Sequence, residues 1–331
     1  LHTMVASGRL GEWADTARLC RILRGRFREH LDQRSCDVLE FWTGRTFDAL
    51  GNPAKGRAKL SQVFETAADA SLRCDAALQL ARIEMYANDL QAAMLWVERA
   101  RSEAGDDRHR AALVTFRLAS LYMLEDKADR ARELLSEVRD FADQNGYMRL
   151  NGDATVNLAY CDLYASKFDA ARAGFERALA LHRITDNRDD EANDLINIGQ
   201  TLLWAGRNDD AQPYLERGLT IAGELGDQQA VAEAQVHMGA AVAMTQDPDA
   251  GLTMCQDGLE AAVQLEMSEI VTSADLHLLR HALSRQDSAT VRYYLRRLAT
   301  AGDRLSPPLY KKVYETLSNE AADLLGEAGP R

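Results

Sequence analysis

The sequence predicts an all-α protein, folded as a right-handed superhelical solenoid of antiparallel helix hairpins. Two observations carry this prediction. Small residues recur every 37 to 40 residues along most of the chain, which is typical of a repeat architecture. Within each interval, apolar residues return every three to four positions in two blocks, as on one face of an amphipathic helix. We expect about seven full repeats, a partial first repeat and a C-terminal capping helix.

The first residues of the sequence predict an incomplete helix. Residues 1–10 supply only part of a first helix, so we expect the chain to begin inside a repeat and to be part of a larger multidomain protein. The following basic segment, residues 18–30 (RLCRILRGRFREH), is predicted as a helix whose arginines form a solvated face or meet an acidic neighbour. The solenoid is predicted over residues 1–302, and a capping helix with a tail over residues 303–331.

The repeated unit is clearest in residues 195–211, which read LINIGQTLLWAGRNDDA. Gly199 and Ala211 are twelve positions apart, and each starts a block of helical apolar spacing. Small residues at facing positions let two antiparallel helices approach closely. The same pair recurs at Gly44 and Gly56, Ala81 and Ala93, Ala119 and Ala131, Ala159 and Ala171, and Gly239 and Gly251. These glycines are therefore predicted to pack helices.

Prolines and other glycines predict where the helices begin and end. Pro53 follows Asn52 and Pro248 follows Asp247, so both prolines are expected in the first turn of a helix, after a good N-cap. Pro213 is also expected in a first turn. Chain reversals are predicted at three glycines that suit a left-handed residue at a helix end: Gly105, Gly146 and Gly226.

Composition excludes several classes of function. The net charge of −12 argues against a nucleic-acid-binding surface, which needs clustered cations. Five widely spaced cysteines without a C-x-x-C motif indicate neither a disulfide framework nor a thiolate metal site. No apolar run is long enough for a membrane span, and the first ten residues do not resemble a signal peptide. We expect a cytoplasmic protein with no membrane partner.

The sequence motifs that would indicate a phosphate-binding or metal-binding site are weak. Residues 51–58 (GNPAKGRA) approach the phosphate-loop pattern but lack its lysine and hydroxyl. The acidic cluster at 186–191 (DNRDDE) lacks the glycine and distal glutamate of a calcium loop. His277 and His281 are one helical turn apart, with His237 one repeat earlier, which leaves a metal-dependent enzyme as the weakest alternative. We predict no catalytic residues, no metal and no cofactor.

The repeats resemble those of a known protein family. Residues 195–222 are similar to a tetratricopeptide repeat, because they carry its pattern of small and apolar residues in register: Leu195, Ile198, Gly199, Leu202, Gly206, Ala211, Leu215 and Gly218. The resemblance covers residues 1–302 and is strongest over 112–262. The period of about 40 residues is similar to that of the long-repeat branch found in sensor domains of bacterial multidomain transcription regulators.

The resemblance implies a ligand groove. In tetratricopeptide repeats, the first helix of each hairpin lines the concave face through fixed positions. Transferred to this chain, those positions are Trp42, Arg45, Gln79, Arg82, Tyr86, Arg117, Asn157, Tyr160, Tyr164, Asn193, Asn197, Gln200, Trp204 and His237. Amides beside aromatic rings would suit a peptide backbone. The alternative for Tyr164 and Trp204 is that their rings fill helix junctions.

Two functional hypotheses remain open beside the metal enzyme. The first is a non-catalytic interaction or regulatory domain that binds a peptide or protein segment in the groove. The second is a small-molecule sensor domain, for an oligosaccharide for example, of an ATPase-type bacterial transcription activator.

Overall fold

The computed structural model describes residues 1–125, 127–245, 247–301, 305 and 307–326, and this part of the chain contains helices and no strand. The helices are α1 (His2–Arg9), α2 (Trp13–Ile22), α3 (Gln33–Ala49), α4 (Pro53–Thr66), α5 (Ala70–Tyr86), α6 (Leu90–Ala104), α7 (Arg108–Leu124), α8 (Ala128–Asn145), α9 (Met148–Tyr164), α10 (Phe168–Ile184), α11 (Arg188–Trp204), α12 (Asn208–Leu225), α13 (Gln228–Thr245), α14 (Pro248–Gln264), α15 (Ser268–Ser284), α16 (Ser288–Ala301) and α17 (Pro308–Leu325).

The helices pack as consecutive hairpins. Helices α3 to α16 form seven pairs, each pair packs on the next, and the shorter pair α1 and α2 precedes them. First helices of successive hairpins also contact one another, as α11 does α13 and α13 does α15. The prediction of an all-α solenoid with a partial first repeat is confirmed.

Small residues hold the two helices of each hairpin together. Ala131, Ala171 and Ala211 have no exposed surface. A Cβ added at Gly239 would lie 2.4 Å from the backbone nitrogen of Cys255 in the facing helix, and one at Gly199 would lie 2.4 Å from Leu215 Cγ. These glycines therefore pack helices, as the spacing predicts.

Most of the predicted helix boundaries are confirmed. Asn52 accepts a hydrogen bond from the Lys55 amide at 3.1 Å, and Asp247 caps α14 in the same way. The three reversal glycines have positive φ angles of 53°, 70° and 73° at Gly105, Gly146 and Gly226. The prediction for Pro213 is wrong, because this proline lies inside α12, one turn beyond its start.

The predicted basic helix over residues 18–30 is also wrong in its extent. Helix α2 ends at Ile22, and a wide π-type turn (Leu23–Phe27) and a short 3₁₀ turn (Arg28–His30) follow. Gly25 lies in the wide turn, where a residue without a side chain weakens a regular helix. Part of the positive charge is satisfied within the chain, since Arg24 and Lys59 both pair with Glu40, at 2.7 and 2.9 Å.

The solenoid winds far enough that its first hairpins contact its second half. Trp13 Nε1 donates to Asp189 Oδ1 at 3.4 Å, and Gln229 Nε2 donates to Asp48 Oδ1 at 3.4 Å. Ser268 donates to the carbonyl of Ala87 at 3.2 Å, and Arg57 lies 3.4 Å from Glu266. We call this set of four contacts the seam. It is polar, whereas the hairpins themselves are joined by apolar packing.

Helix α17 does more than cap the last hairpin. It packs on α15 and α16, and its buried Tyr310 reaches Gln200 of α11, whose amide donates to the tyrosine oxygen at 3.4 Å. The Tyr310 ring centre is also 5.7 Å from that of Trp204. Helix α17 therefore covers part of the concave side. The predicted domain boundary at residues 302 and 303 lies outside the described residues.

Candidate functional site

The concave side of the solenoid encloses a cavity of about 180 Å³, which we call the channel. Helices α5, α7 and α9 form one wall, and α13 and α15 form the wall opposite. Its lining residues are Arg82, Met85, Tyr86, Phe116, Arg117, Ser120, Met123, Leu124, Asn157, Tyr160, Tyr164, Glu233, Glu269 and Ile270. First helices supply most of these side chains, because they face the inside of the superhelix.

The wall made by α5 and α7 is positively charged. Arg82 pairs with the buried carboxylate of Asp48, and its guanidinium lies 5.4 Å from the ring centre of Tyr86. Arg117 forms no ion pair with a described residue, and its Nε is buried without a hydrogen-bond partner. Burial, together with repulsion from Arg82, lowers the pKa of Arg117 to about 10. An anionic group in the channel would stabilise the charged form of Arg117.

The opposite wall carries two carboxyl groups. Burial and the neighbouring carboxylate of Glu269 raise the pKa of Glu233 to about 8. Burial also raises the pKa of Glu269 to about 7, although Tyr164 donates a hydrogen bond to it at 3.3 Å. Two carboxyl groups with raised pKa values on one wall would be stabilised in their charged form by a cationic or hydrogen-bond-donating ligand.

Amide and hydroxyl groups connect neighbouring repeats along the channel. Asn157 of α9 donates to Ser120 of α7 at 2.7 Å, and Tyr160 of α9 donates to Asn197 of α11. These bonds orient the side chains before any ligand binds. They also occupy donor and acceptor groups that would otherwise be free to bind a ligand.

A second, smaller cavity of about 60 Å³ adjoins the channel and shares Arg82, Tyr86 and Glu233 with it. Arg45 lies here, with its guanidinium 5.1 Å from the ring centre of Trp13 and 5.2 Å from that of Trp42. Asp189 and Asp227 form the facing side. The pattern of cations opposite carboxylates therefore continues towards the seam.

The comparisons with known proteins agree with this architecture. Residues 151–224 match the tetratricopeptide repeat family. This segment of the chain therefore has the sequence pattern of tetratricopeptide repeats. No curated protein sequence matches the chain.

Several solved structures share the fold at low sequence identity. A Rap protein complexed with competence and sporulation factor is 16% identical, with a TM-score of 0.62 over 99% of this chain and 98% of that chain. NprR in complex with its cognate peptide NprX is 15% identical, with a TM-score of 0.60 over 96% and 94%.

A third similar structure is that of a signal transduction ATPase with numerous domains from Pyrococcus horikoshii, which carries a tetratricopeptide repeat sensor. It is 12% identical, with a TM-score of 0.55 over 96% of this chain and 50% of that chain.

The tetratricopeptide register brings many of the predicted groove residues together. Six line the channel: Arg82, Tyr86, Arg117, Asn157, Tyr160 and Tyr164. Arg45 and Asn193 line the smaller cavity. Asn197 lies behind Tyr160, and Gln79 is on α5 with its Oε1 buried without a partner. Trp42 is buried against Phe41, with ring centres 5.6 Å apart.

Five predicted groove residues are not accessible to a ligand. Each has at most 7% of its surface exposed: Trp42, Asn197, Gln200, Trp204 and His237. Trp204 lies between His277, whose ring is stacked at 4.4 Å, and Tyr310 of α17. The alternative of ring packing at a helix junction therefore fits Trp204. These five residues therefore offer a ligand little surface.

The histidine alternative does not assemble a metal site. The rings of His237 and His277 are 5.6 Å apart at nearly a right angle, and the nitrogens of His237, His277 and His281 do not converge to within bonding range of one ion. Burial lowers the pKa of all three, that of His237 to about 3. They are neutral core side chains.

The carboxyl groups of the channel are not among the predicted groove residues. Glu233 is 40 residues after Asn193, at the same position of the next tetratricopeptide repeat, so the register could have identified it. Asp189 and Glu269 are also in register, two periods apart, but they lie one helical turn before the groove positions that the resemblance implies.

In the described part of the chain, no helix is both long and apolar enough to cross a membrane.

Proposed function

We propose that this chain is a non-catalytic regulatory domain that binds a short peptide segment in the channel. Two proteins of the same fold are known as complexes: the Rap protein with competence and sporulation factor, and NprR with its cognate peptide. The likeness to them supports the fold, and the chemistry of the channel supports the ligand.

The observation that carries the proposal is the placement of the guanidinium of Arg117, which has no ion-pair partner among the described residues, and of two partly buried carboxyl groups on opposite channel walls. Arg117 Nε is buried without a partner, and across the channel Glu233 and Glu269 are held away from full ionisation. Buried polar groups normally have partners, so those that lack one indicate a missing ligand. A peptide brings amide donors and carbonyl acceptors together with charged ends or side chains, and so matches both walls.

The aromatic residues of the channel fit the same ligand. Tyr86 and Tyr164 are partly buried beside the charged groups and offer apolar ring surface at a small cost in side-chain entropy. Aromatic rings beside charged and amide groups suit a peptide that has both apolar and polar side chains.

The channel must widen to accept such a ligand. Its volume of about 180 Å³ is below the 300 to 1,000 Å³ that is typical of pockets for drug-sized ligands. The contacts that oppose widening include the polar contacts of the seam, at 3.2 to 3.4 Å, and the hydrogen bond from Tyr164 to Glu269 across the channel. We infer that ligand binding is coupled to a change in the winding of the solenoid, which would transmit the signal.

A small-molecule sensor is the second candidate, and the small volume of the channel favours it. The fold is also shared with an ATPase that carries a tetratricopeptide repeat sensor. In this case the ligand would fit the channel without opening the seam, and the response would pass to other domains.

A pool of random-sequence heptapeptides provides the first test. The purified protein is incubated with the pool, retained peptides are identified by mass spectrometry, and each is resynthesised for calorimetric titration. We expect saturable one-to-one binding that Arg117→Gln weakens at least tenfold, because the variant removes an unpaired channel charge.

Arg132→Gln is the matched control. Arg132 lies on α8 outside the channel, where it pairs with Asp162 at 2.8 Å, so its loss should leave peptide affinity unchanged. Equal weakening by both variants would contradict a channel site. Thermal stabilisation by a metabolite extract, with no peptide retained, would overturn the peptide proposal in favour of the sensor.

A further inference from the structure

A second cluster of functional groups lies outside the channel, where α9, α10 and α11 meet. His182 of α10 is at its centre and is 1% exposed. Its Nδ1 is 2.7 Å from Asp194 Oδ2, and its Nε2 is 3.6 Å from Asp153 Oδ1. One ligand atom from each of Asp153, His182 and Asp190 lies within 4.8 Å of the other two.

The histidine is oriented as metal-binding histidines are. Asp194, itself 1% exposed, accepts a hydrogen bond from His182 Nδ1, which leaves the lone pair of Nε2 directed at the two other carboxylates. A carboxylate on the far nitrogen fixes the tautomer and the ring orientation of a metal-bound histidine. His182 Nε2 is buried and has no hydrogen-bond partner.

Space beside the free nitrogen is kept open by a glycine. A Cβ added at Gly152 would lie 2.2 Å from His182 Nε2, so any other residue at this position would displace the ring. Asp153 follows directly and is 29% exposed, which gives an ion a path from solvent to the buried nitrogen.

Carboxylates outnumber the cationic side chains around the cluster. Three carboxylates, Asp153, Asp190 and Asp194, surround the imidazole of His182, and Arg149 Nε is 3.1 Å from Asp190 Oδ2. A cation at the imidazole would be attracted by this excess of carboxylates. The competing occupant is a proton on Nε2, which would pair with Asp153.

We propose that His182 Nε2, Asp153 and Asp190 bind one divalent transition-metal ion, with Asp194 as the residue that positions the histidine. An imidazole ligand favours zinc and related ions over magnesium and calcium, which prefer oxygen alone. Tetrahedral ligands about 2.1 Å from zinc are about 3.4 Å apart, close to the 3.6 Å between Nε2 and Asp153. Asp190, partly buried at 15% exposure, would exchange part of its pairing with Arg149 and Asn187 for the ion.

The site would have a structural role. Its ligands come from three successive helices, so a bound ion would join two hairpins at the middle of the solenoid. This role is independent of the proposed peptide binding, because none of the ligands lines the channel.

Titration of the chelator-treated protein with Zn²⁺ tests the proposal. We expect one equivalent to bind with a rise in the thermal midpoint, and Asp153→Asn to weaken binding at least tenfold. Co²⁺ gives a second readout, since its visible absorption reports coordination and should be lost in the same variant. Asp153 is partly exposed, so this variant is expected to fold, which circular dichroism checks.

Asp162→Asn is the control, because Asp162 is on the same helix and pairs instead with Arg132. Unchanged Zn²⁺ affinity in this variant would support the site. A titration without saturable heat would overturn the proposal, and so would equal Zn²⁺ affinity of the wild type and Asp153→Asn.

Discussion

Gln229 of α13 donates a hydrogen bond to Asp48 of α3 at 3.4 Å, across 181 positions of the sequence. The same carboxylate pairs with Arg82 of the next hairpin and is 2% exposed. Asp48 therefore connects the start of the solenoid with its second half and also neutralises one cation of the channel.

Replacement of Asp48 with asparagine should destabilise the fold. Arg82 would keep its charge but lose its carboxylate, and an unpaired cation in a partly buried position is costly. We expect a loss of about 2 kcal/mol in the free energy of unfolding, measured by urea denaturation. Asp140→Asn is the control, because its ion pair with Arg139 is exposed. A loss below 0.5 kcal/mol for Asp48→Asn, within the range of surface substitutions, would contradict this assignment.

A methyl group at Gly239 should separate the helices of its hairpin. The added Cβ would lie 2.4 Å from the backbone nitrogen of Cys255 and 2.7 Å from the carbonyl of Gly251, and backbone atoms cannot move aside cheaply. We expect Gly239→Ala to cost about 2 to 3 kcal/mol in thermal unfolding. Gly223→Ala is the matched control, since no atom lies within 4 Å of the added group. That variant should gain about 0.5 kcal/mol from helix propensity, and a similar loss in both would refute the packing argument.

The acidic wall should make stability depend on pH. The pKa of Glu233 is raised from its ordinary value of 4.5 to about 8, first by burial and then by Glu269 and Asp227. Between these pH values the folded protein keeps a proton that the unfolded chain has lost. Stability therefore falls as the pH rises from 4.5 to 8, and this contribution is constant above pH 8.

Substitution Glu233→Gln should remove this contribution. The variant should match the wild type near pH 4.5 and be more stable by about 1 to 3 kcal/mol near pH 8, in urea denaturation series across this interval. Glu260→Gln, on the exposed side of α14, is the control and should show no such trend. If the wild type were more stable to urea than Glu233→Gln at pH 8, the charged form of Glu233 would have to be stabilised by a partner within the protein.

The burial of Trp204 beneath α17 predicts a cost in stability. Its ring is 7% exposed and lies between those of His277 and Tyr310. We expect Trp204→Ala to lower the free energy of unfolding by about 3 to 5 kcal/mol, because a large cavity forms. Tyr293→Ala, at a position that is 50% exposed, should cost less than about 1 kcal/mol. If Trp204→Ala were as mild as the control, the ring would belong to an accessible groove after all.

The local rules of helix packing made the hairpins predictable. Gly199 and Leu215 meet because the sequence spaces them for two antiparallel helices, and this geometry depends only on neighbouring residues. The same register identified the channel residues Arg117 and Tyr160. It could also have identified Glu233, because the repeat that contains Asn193 places it one period later.

Long-range contacts of the superhelix were not predictable in this way. The contact of Trp13 with Asp189 depends on the summed rotation of several hairpins, so a small error per repeat moves it by many ångströms. Helix α17 lies outside the repeat, and nothing in the spacing of residues 195–211 shows that Tyr310 covers Gln200 and Trp204.

The polar character of the seam has a kinetic consequence. If the channel accepts its ligand only after these contacts part, association proceeds through a minor open population, and the observed rate reaches a plateau set by the opening step as ligand concentration rises. The four contacts would then set how quickly the protein responds, and substitutions there would alter response time at positions that a bound ligand never touches.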